Sequence, residues 1–175
     1  MKTVYDLYKC NDEDTSRYIL GKEGSKKLFV IGLNPSTANK EKSDTTVAKV
    51  EKVASNNSFD GFVMANLYPH RSTDPNGLPV AKDEEEFKRN LDHIVMLARL
   101  ESNPTFWAAW GGDIDLRSYL AESFKELDSI VKDLNGSWVN YGELRNDGHP
   151  RHPSRLSYSW AFSKFDTAVY AQRFA

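Results

Sequence analysis

Leu28-Phe29-Val30-Ile31-Gly32-Leu33-Asn34-Pro35-Ser36 is the stretch that decides the fold. Six apolar or glycine residues run without a break and stop at a polar turn. A strand with one wet face alternates apolar and polar residues. An unbroken run suits a strand buried on both faces, as in a parallel sheet covered by helices. The pattern then repeats. Val47, Val50, Val53 and Ala54 fall at helical spacing, with Ser43 or Asp44 as N-cap. Gly61-Phe62-Val63-Met64-Ala65-Asn66-Leu67 is a second buried-strand run. Phe87, Leu91, Ile94 and Ala98 form an amphipathic helical stripe, opened by Asp83-Glu84-Glu85-Glu86, whose acids suit a helix start. Thr105–Trp110 reads as a third strand and Ser137–Tyr141 as a fourth. Between them lies the stripe Leu116, Leu120, Phe124, Leu127, Val131 and Leu134.

Strands alternating with helices predict α/β architecture: a three-layer sandwich with a mostly parallel four-stranded central sheet. Upstream, Thr3–Tyr8 and Arg17–Leu20 flank the polar stretch Cys10–Thr15 and read as an N-terminal β hairpin. The expected organisation is one domain: the hairpin over 1–24, the core over 25–156, and an aromatic tail over 157–175 (Tyr158, Trp160, Phe162, Phe165) packed on the core.

The chain has 175 residues, 23 Lys+Arg against 25 Asp+Glu, and a net charge of −2, which excludes a polycationic DNA-coating protein. The single cysteine, Cys10, permits no internal disulfide and no cysteine-based zinc site, and fits a reducing cytosol. The opening residues Met1–Asp6 lack the apolar core of a signal peptide, and no apolar run is long enough to span a membrane. A cytoplasmic protein without membrane contact is therefore expected. Nothing in the sequence sets its oligomeric state.

In open α/β sheets, ligands bind beyond the carboxyl ends of the strands. Those positions hold Asn34-Pro35-Ser36-Thr37, then Asn66-Leu67-Tyr68-Pro69-His70-Arg71, then Trp110-Gly111-Gly112-Asp113. Beyond the fourth strand come Glu143, Arg145 and Gly148-His149-Pro150-Arg151-His152-Pro153-Ser154-Arg155. Amides, imidazoles and guanidiniums would thus meet on one rim of the sheet. Residues 145–155 contain three arginines against one acid, Asp147, a local positive patch suited to an anion.

Gly32-Leu33-Asn34-Pro35-Ser36, Asn66-Leu67-Tyr68-Pro69, Trp110-Gly111 and Arg151-His152-Pro153 resemble a bacterial family known as the domain of unknown function 1643, from about Tyr18 to about Leu156. More distantly, Gly32-Leu33-Asn34-Pro35, Trp110-Gly111 and His152-Pro153-Ser154-Arg155-Leu156-Ser157 resemble, in order and approximate spacing, the motifs of the uracil-DNA glycosylase superfamily. That resemblance implies a glycosylase-like fold. It also implies a pocket for a nucleobase, nucleotide or nucleic acid, and hydrolysis of an N-glycosidic bond if the site is catalytic. Breaking that bond needs a donor for the departing base anion and a group that positions water. The resemblance gives the first role to His152 and the second to Asn34, whose amide orients water without acting as a strong base. Asn66 would read a base edge, Tyr68 stack on its face, and Leu156 wedge into DNA. Pro35, Ser36, His70, Arg71, Gly111, Arg145, His149, Arg151, Ser154 and Arg155 complete the candidate ligand-binding set, with Arg145, Arg151 and Arg155 as phosphate ligands. Three departures are visible. No aromatic residue lies between Pro35 and Phe59, Arg155 replaces the second proline of the closing loop, and the first motif lacks a carboxylate.

Plainer roles stand beside these. Asn34 before Pro35 suits a strand-to-helix turn. His149 and His152 are spaced like metal ligands, but no cysteine or paired carboxylate accompanies them, so no metal is expected. His93 suits a helix boundary, and at least one of Trp107 and Trp110 suits the core. Ser36 has no His/Asp partner for nucleophilic catalysis, and a lone Gly32 is not a dinucleotide fingerprint, so no cofactor is expected. The alternative to an enzyme is a non-catalytic module binding a nucleotide or phosphate ligand in the same pocket. A protein-interaction role for the aromatic tail predicts an exposed apolar patch there.

Overall fold

A computed structural model of the protein describes residues 5–175. In chain order the strands are β1 (Leu7–Cys10), β2 (Arg17–Lys22), β3 (Lys27–Gly32), β4 (Gly61–Asn66), β5 (Thr105–Ala108), β6 (Ser137–Tyr141) and β7 (Phe162–Lys164). The helices are α1 (Thr45–Asn56), α2 (Glu84–Ala98), α3 (Ser118–Asp133) and α4 (Thr167–Ala171). The protein is α/β, and its sheet is seven-stranded and mixed, in the order β1-β2-β4-β3-β5-β6-β7.

This sheet is larger than the four-stranded one expected. β4, β3, β5 and β6 run parallel at its centre. The hairpin does not stand apart: β2 pairs antiparallel with β4. At the other edge the tail contributes β7, antiparallel to β6. The physical reason is edge protection, because the added outer strands β1 and β7 have four and three residues and expose shorter ladders than β4 and β6, with six and five, would. The first hairpin strand also differs from the expected Thr3–Tyr8. It occupies Leu7–Cys10, in register Leu7↔Gly21, and residues 3 and 4 of the expected run lie outside the described residues. Asn11 sets the loop by accepting from the Thr15 and Ser16 amides through Oδ1.

Alternation within the buried strands feeds two cores. Phe29, Ile31, Val63, Ala65 and Phe106 pack against α2 and α3 through Leu91, Ile94, Phe124 and Leu127. Leu28, Val30, Phe62, Met64 and Trp107 point the other way, onto Val47, Val50 and Val53 of α1. The helices start where their caps direct: Asp44 Oδ1 accepts from Val47 N, and Asp83 Oδ1 accepts from the amides of Glu85 and Glu86. In the tail, Phe165 and Tyr170 are buried and Trp110 Nε1 donates to Tyr170 Oη at 2.9 Å. Exposed large apolar residues of the tail are Tyr158 and Val169, while Trp160 and Phe162 are half-buried against the α1-side core.

Candidate functional site

β3 has β4 on one side and β5 on the other. The connections therefore leave it in opposite directions and open a crevice beyond the strand ends. A cavity of about 410 Å³ lies there, lined by residues following β3, β4, β5 and β6 and by the start of α1. Asn34, Pro35, Ser36, Asn66, Gly111, Arg145, His152 and Ser154 all line it, so the structure brings these eight candidates together.

Asn66 forms the floor. Alternation puts it with Phe62 and Met64 on the α1 side of β4, opposite Gly32 of β3. A side chain on Gly32 would bring its Cβ to 2.7 Å from Asn66 Oδ1, so glycine there gives the amide its room. Asn66 is 1% exposed, and among the described residues neither Oδ1 nor Nδ2 has a hydrogen-bond partner. Its backbone is fastened firmly. Asn90 Nδ2 of α2 donates to Asn66 O at 2.7 Å, and Ser123 Oγ of α3 donates to Leu67 O at 2.6 Å. The fold holds an amide still and gives its polar atoms nothing to bind.

Asn34 takes both roles that its sequence suggests. Nδ2 donates to Ser72 O at 2.9 Å and to Pro35 O at 3.1 Å, tying the turn after β3 to the loop after β4. Among the described residues Oδ1 of this amide makes no hydrogen bond. His152 Nδ1 accepts from Ser154 N at 3.1 Å, so in the neutral ring the proton sits on Nε2, available as a donor. The loop that carries it is pinned by Lys49 Nζ of α1, which donates to Ser154 O at 2.5 Å. Crowding by the cavity wall lowers the His152 pKa, against the opposing pull of the Asp44 and Asp113 carboxylates. The ring is therefore neutral at pH 7. Gly111, at φ +72°, is in the left-handed region, and a Cβ there would meet His152 Cβ at 3.3 Å.

The arginines divide. Arg145 reaches the cavity across Gly112, where a Cβ would lie 2.7 Å from its Nη1, and pairs with Asp147 at 3.0 Å. Arg71 is structural: Nη1 donates to Ser36 O and Ala38 O, and Nη2 to Tyr8 Oη and Asp14. Arg151 lies outside the cavity, donating to Glu143 O and stacking over Trp160. Arg155 is exposed and does not line it either.

Four further expectations are corrected. Tyr68 is buried in the α2–α3 core against Tyr119, with Oη accepting from Asp83 N, and offers no stacking face. The chain has already turned when it leaves β4, which carries Tyr68 to the opposite side from Asn66. His70 lies outside the cavity in a bridge to Ser16. His149 is buried, with Nδ1 2.8 Å from Tyr170 Oη and Nε2 3.4 Å from Asp115. It braces α4 rather than a ligand. Leu156 is half-buried against the α1-side core and does not project as a wedge.

Arg17, Asp44 and Asp113 also line the cavity and stand outside the candidate set, Asp113 having figured only as part of the strand-end run Trp110–Asp113. Asp44 carried a signal only as a helix cap. Arg17 carried none, being one basic residue at a strand start. It is 2% exposed, with Nη1 donating to Ala38 O at 3.1 Å and Nε unpartnered. Burial, reinforced by the Arg71 charge, pushes its pKa down to about 10. Among the described residues no group of three or more metal-ligating side chains occurs, and no helix is long and apolar enough to cross a membrane.

Fold and site define an α/β protein with a polar crevice at the switch point of a mixed sheet. Residues 17–154 match the family described as a protein of unknown function, DUF1643, and the chain belongs to that family. No curated protein and no solved structure matches it.

Proposed function

We propose that the cavity binds a nucleobase-bearing ligand and that Asn34 and His152 act on its N-glycosidic bond, in a site of the uracil-DNA glycosylase type. One observation carries the binding half: the buried Asn66 amide, with donor and acceptor both unpartnered, at the cavity floor. An unmade hydrogen bond at a buried polar group is costly, so a rigid orphan amide points to a missing partner. A side-by-side donor and acceptor is what the edge of a planar base complements.

The catalytic half is supported by the shared cavity of Asn34 and His152 and by the tautomer that Ser154 N selects. As the bond breaks, negative charge grows on the base, and the His152 Nε2–H would donate to it. Asn34 Oδ1 would accept from a water and aim it at the sugar carbon. Neither residue removes a proton strongly, so the rate would rest on leaving-group and electrostatic stabilisation. A non-catalytic module is the second reading, favoured by the use of Asn34 Nδ2 as a structural tie.

The test is direct. Nucleosides, nucleotides and base-modified single-stranded oligonucleotides are incubated with the protein; binding is followed by calorimetry and freed base by chromatography. Base release lost in His152→Ala supports the enzyme. Binding without release, abolished by Asn66→Leu, supports the module. A folded protein that binds no nucleobase-bearing ligand overturns both.

A further inference from the structure

Arg17 is the second orphan of the cavity, and it is charged. A guanidinium 2% exposed is expensive unless an anion faces it. Among the described residues Arg17 makes no ion pair. Among the described residues its guanidinium makes one hydrogen bond, from Nη1 to Ala38 O at 3.1 Å, and Arg71 Nη1 donates to the same carbonyl at 3.0 Å. Two guanidiniums therefore converge on one neutral oxygen. Arg71 has a carboxylate of its own, Asp14, at 3.1 Å. The acid that faces Arg17, Asp44, is engaged elsewhere: Oδ1 caps α1 at Val47 N and Oδ2 accepts from Ala38 N at 3.4 Å. The like charge of Arg71 outweighs the opposite charge of Asp44 at Arg17. Arg145 lines the same cavity and adds a second, half-exposed guanidinium.

We propose that the ligand is a nucleoside monophosphate whose phosphate is held by the buried Arg17 guanidinium while its base meets Asn66. This rests on the nucleobase reading above and narrows it. Guanidinium groups match phosphate oxygens with paired N–H donors, and such charge-assisted bonds are the strong ones. The cavity, about 410 Å³, is at the small end of ligand pockets and suits one nucleotide rather than a strand. The net charge of −2 agrees, since the chain lacks the general positive field that long DNA selects.

Calorimetry on the full chain compares three probes: the common nucleosides, their 5′-monophosphates, and inorganic phosphate. At least one monophosphate is expected to bind about tenfold or more tightly than its nucleoside. Its affinity should fall with added salt, and inorganic phosphate should compete with it. Arg17→Gln should bring the monophosphate-to-nucleoside ratio toward one, and Arg17→Lys, which keeps the charge without the planar fork, should lower it severalfold. The wild-type comparison does not depend on either variant folding. Nucleosides binding as well as their monophosphates would overturn the phosphate site and leave the nucleobase reading intact. Binding of inorganic phosphate and monophosphates alike, with no contribution from the base, would keep Arg17 as an anion site and overturn the nucleobase reading. No binding by any probe overturns both.

Discussion

Replacing Asn66 by leucine should stabilise the protein while destroying the site. Leucine keeps the branch at Cγ, and the cavity absorbs its extra girth. The Asn66 amide holds Oδ1 and Nδ2 out of water with no partner for either. In proteins, leaving a buried polar group unsatisfied costs about 1–3 kcal/mol. The substitution removes that penalty, so the unliganded variant should gain about 1–3 kcal/mol. For a chain of this size, each kcal/mol moves Tm by roughly 2–4 °C. The control is Ser123→Ala in the same region. Ser123 Oγ donates to the buried Leu67 carbonyl, and its loss leaves that acceptor unpaired, a destabilisation of about 1–3 kcal/mol. Urea melts of wild type and both variants measure the signs, and calorimetry with nucleosides measures the loss of binding. If Asn66→Leu destabilises as Ser123→Ala does, and still binds, then the amide is a structural group and the site reasoning fails.

Three further outcomes follow from the geometry. Gly32→Ala should abolish ligand binding at modest cost in stability, because its Cβ would stand 2.7 Å from Asn66 Oδ1 and turn the amide away; retained binding in a titration would refute this. Tyr170→Phe should cost about 1–3 kcal/mol in a urea melt, since the hydroxyl serves both Trp110 Nε1 and His149 Nδ1, and its removal leaves both buried. Burial holds His93 and His149 below the ordinary imidazole range, and crowding by the cavity wall does the same for the more exposed His152, so the unfolded chain binds more protons than the folded one. Their contribution is complete above about pH 6.5 and is lost as pH falls through the folded values. Melts across that window should show stability rising with pH, and a flat profile would contradict the shifts.

The unbroken apolar runs at 28–33 and 61–67 made the parallel centre of the sheet legible, because burial on both faces leaves no other composition. The edge strands were harder. β7 has three residues, with one half-buried and two exposed, and its place depends on pairing with β6 rather than on any local pattern. At the site, Asn34, Asn66 and His152 were legible because the strand-end rule places them together. Tyr68 and His149 misled because both follow strands and look like ligand groups. The direction in which each leaves its strand is decided by packing against Tyr119 and Tyr170. Arg17 was invisible for the converse reason. Its importance comes from what covers it, namely Ala38, Arg71 and the pairing of β2 with β4.

The fastening of β4's exit by Asn90 and Ser123 has a consequence for how the protein meets a ligand. Both anchors come from helices on the far side of the sheet from the cavity. The floor therefore borrows its rigidity from two helices that do not line the cavity, while the rim hangs on surface contacts such as Lys49 to Ser154 and Arg145 to Asp147. Amide protons at residues 66–68 should exchange with solvent only on global unfolding, and those of 145–155 through local opening. A guest would find the base-reading end preorganised, with its entropy cost already met during folding, and would spend binding energy only on closing the rim. Substitutions between α2 and α3 should accordingly loosen recognition from the opposite side of the molecule.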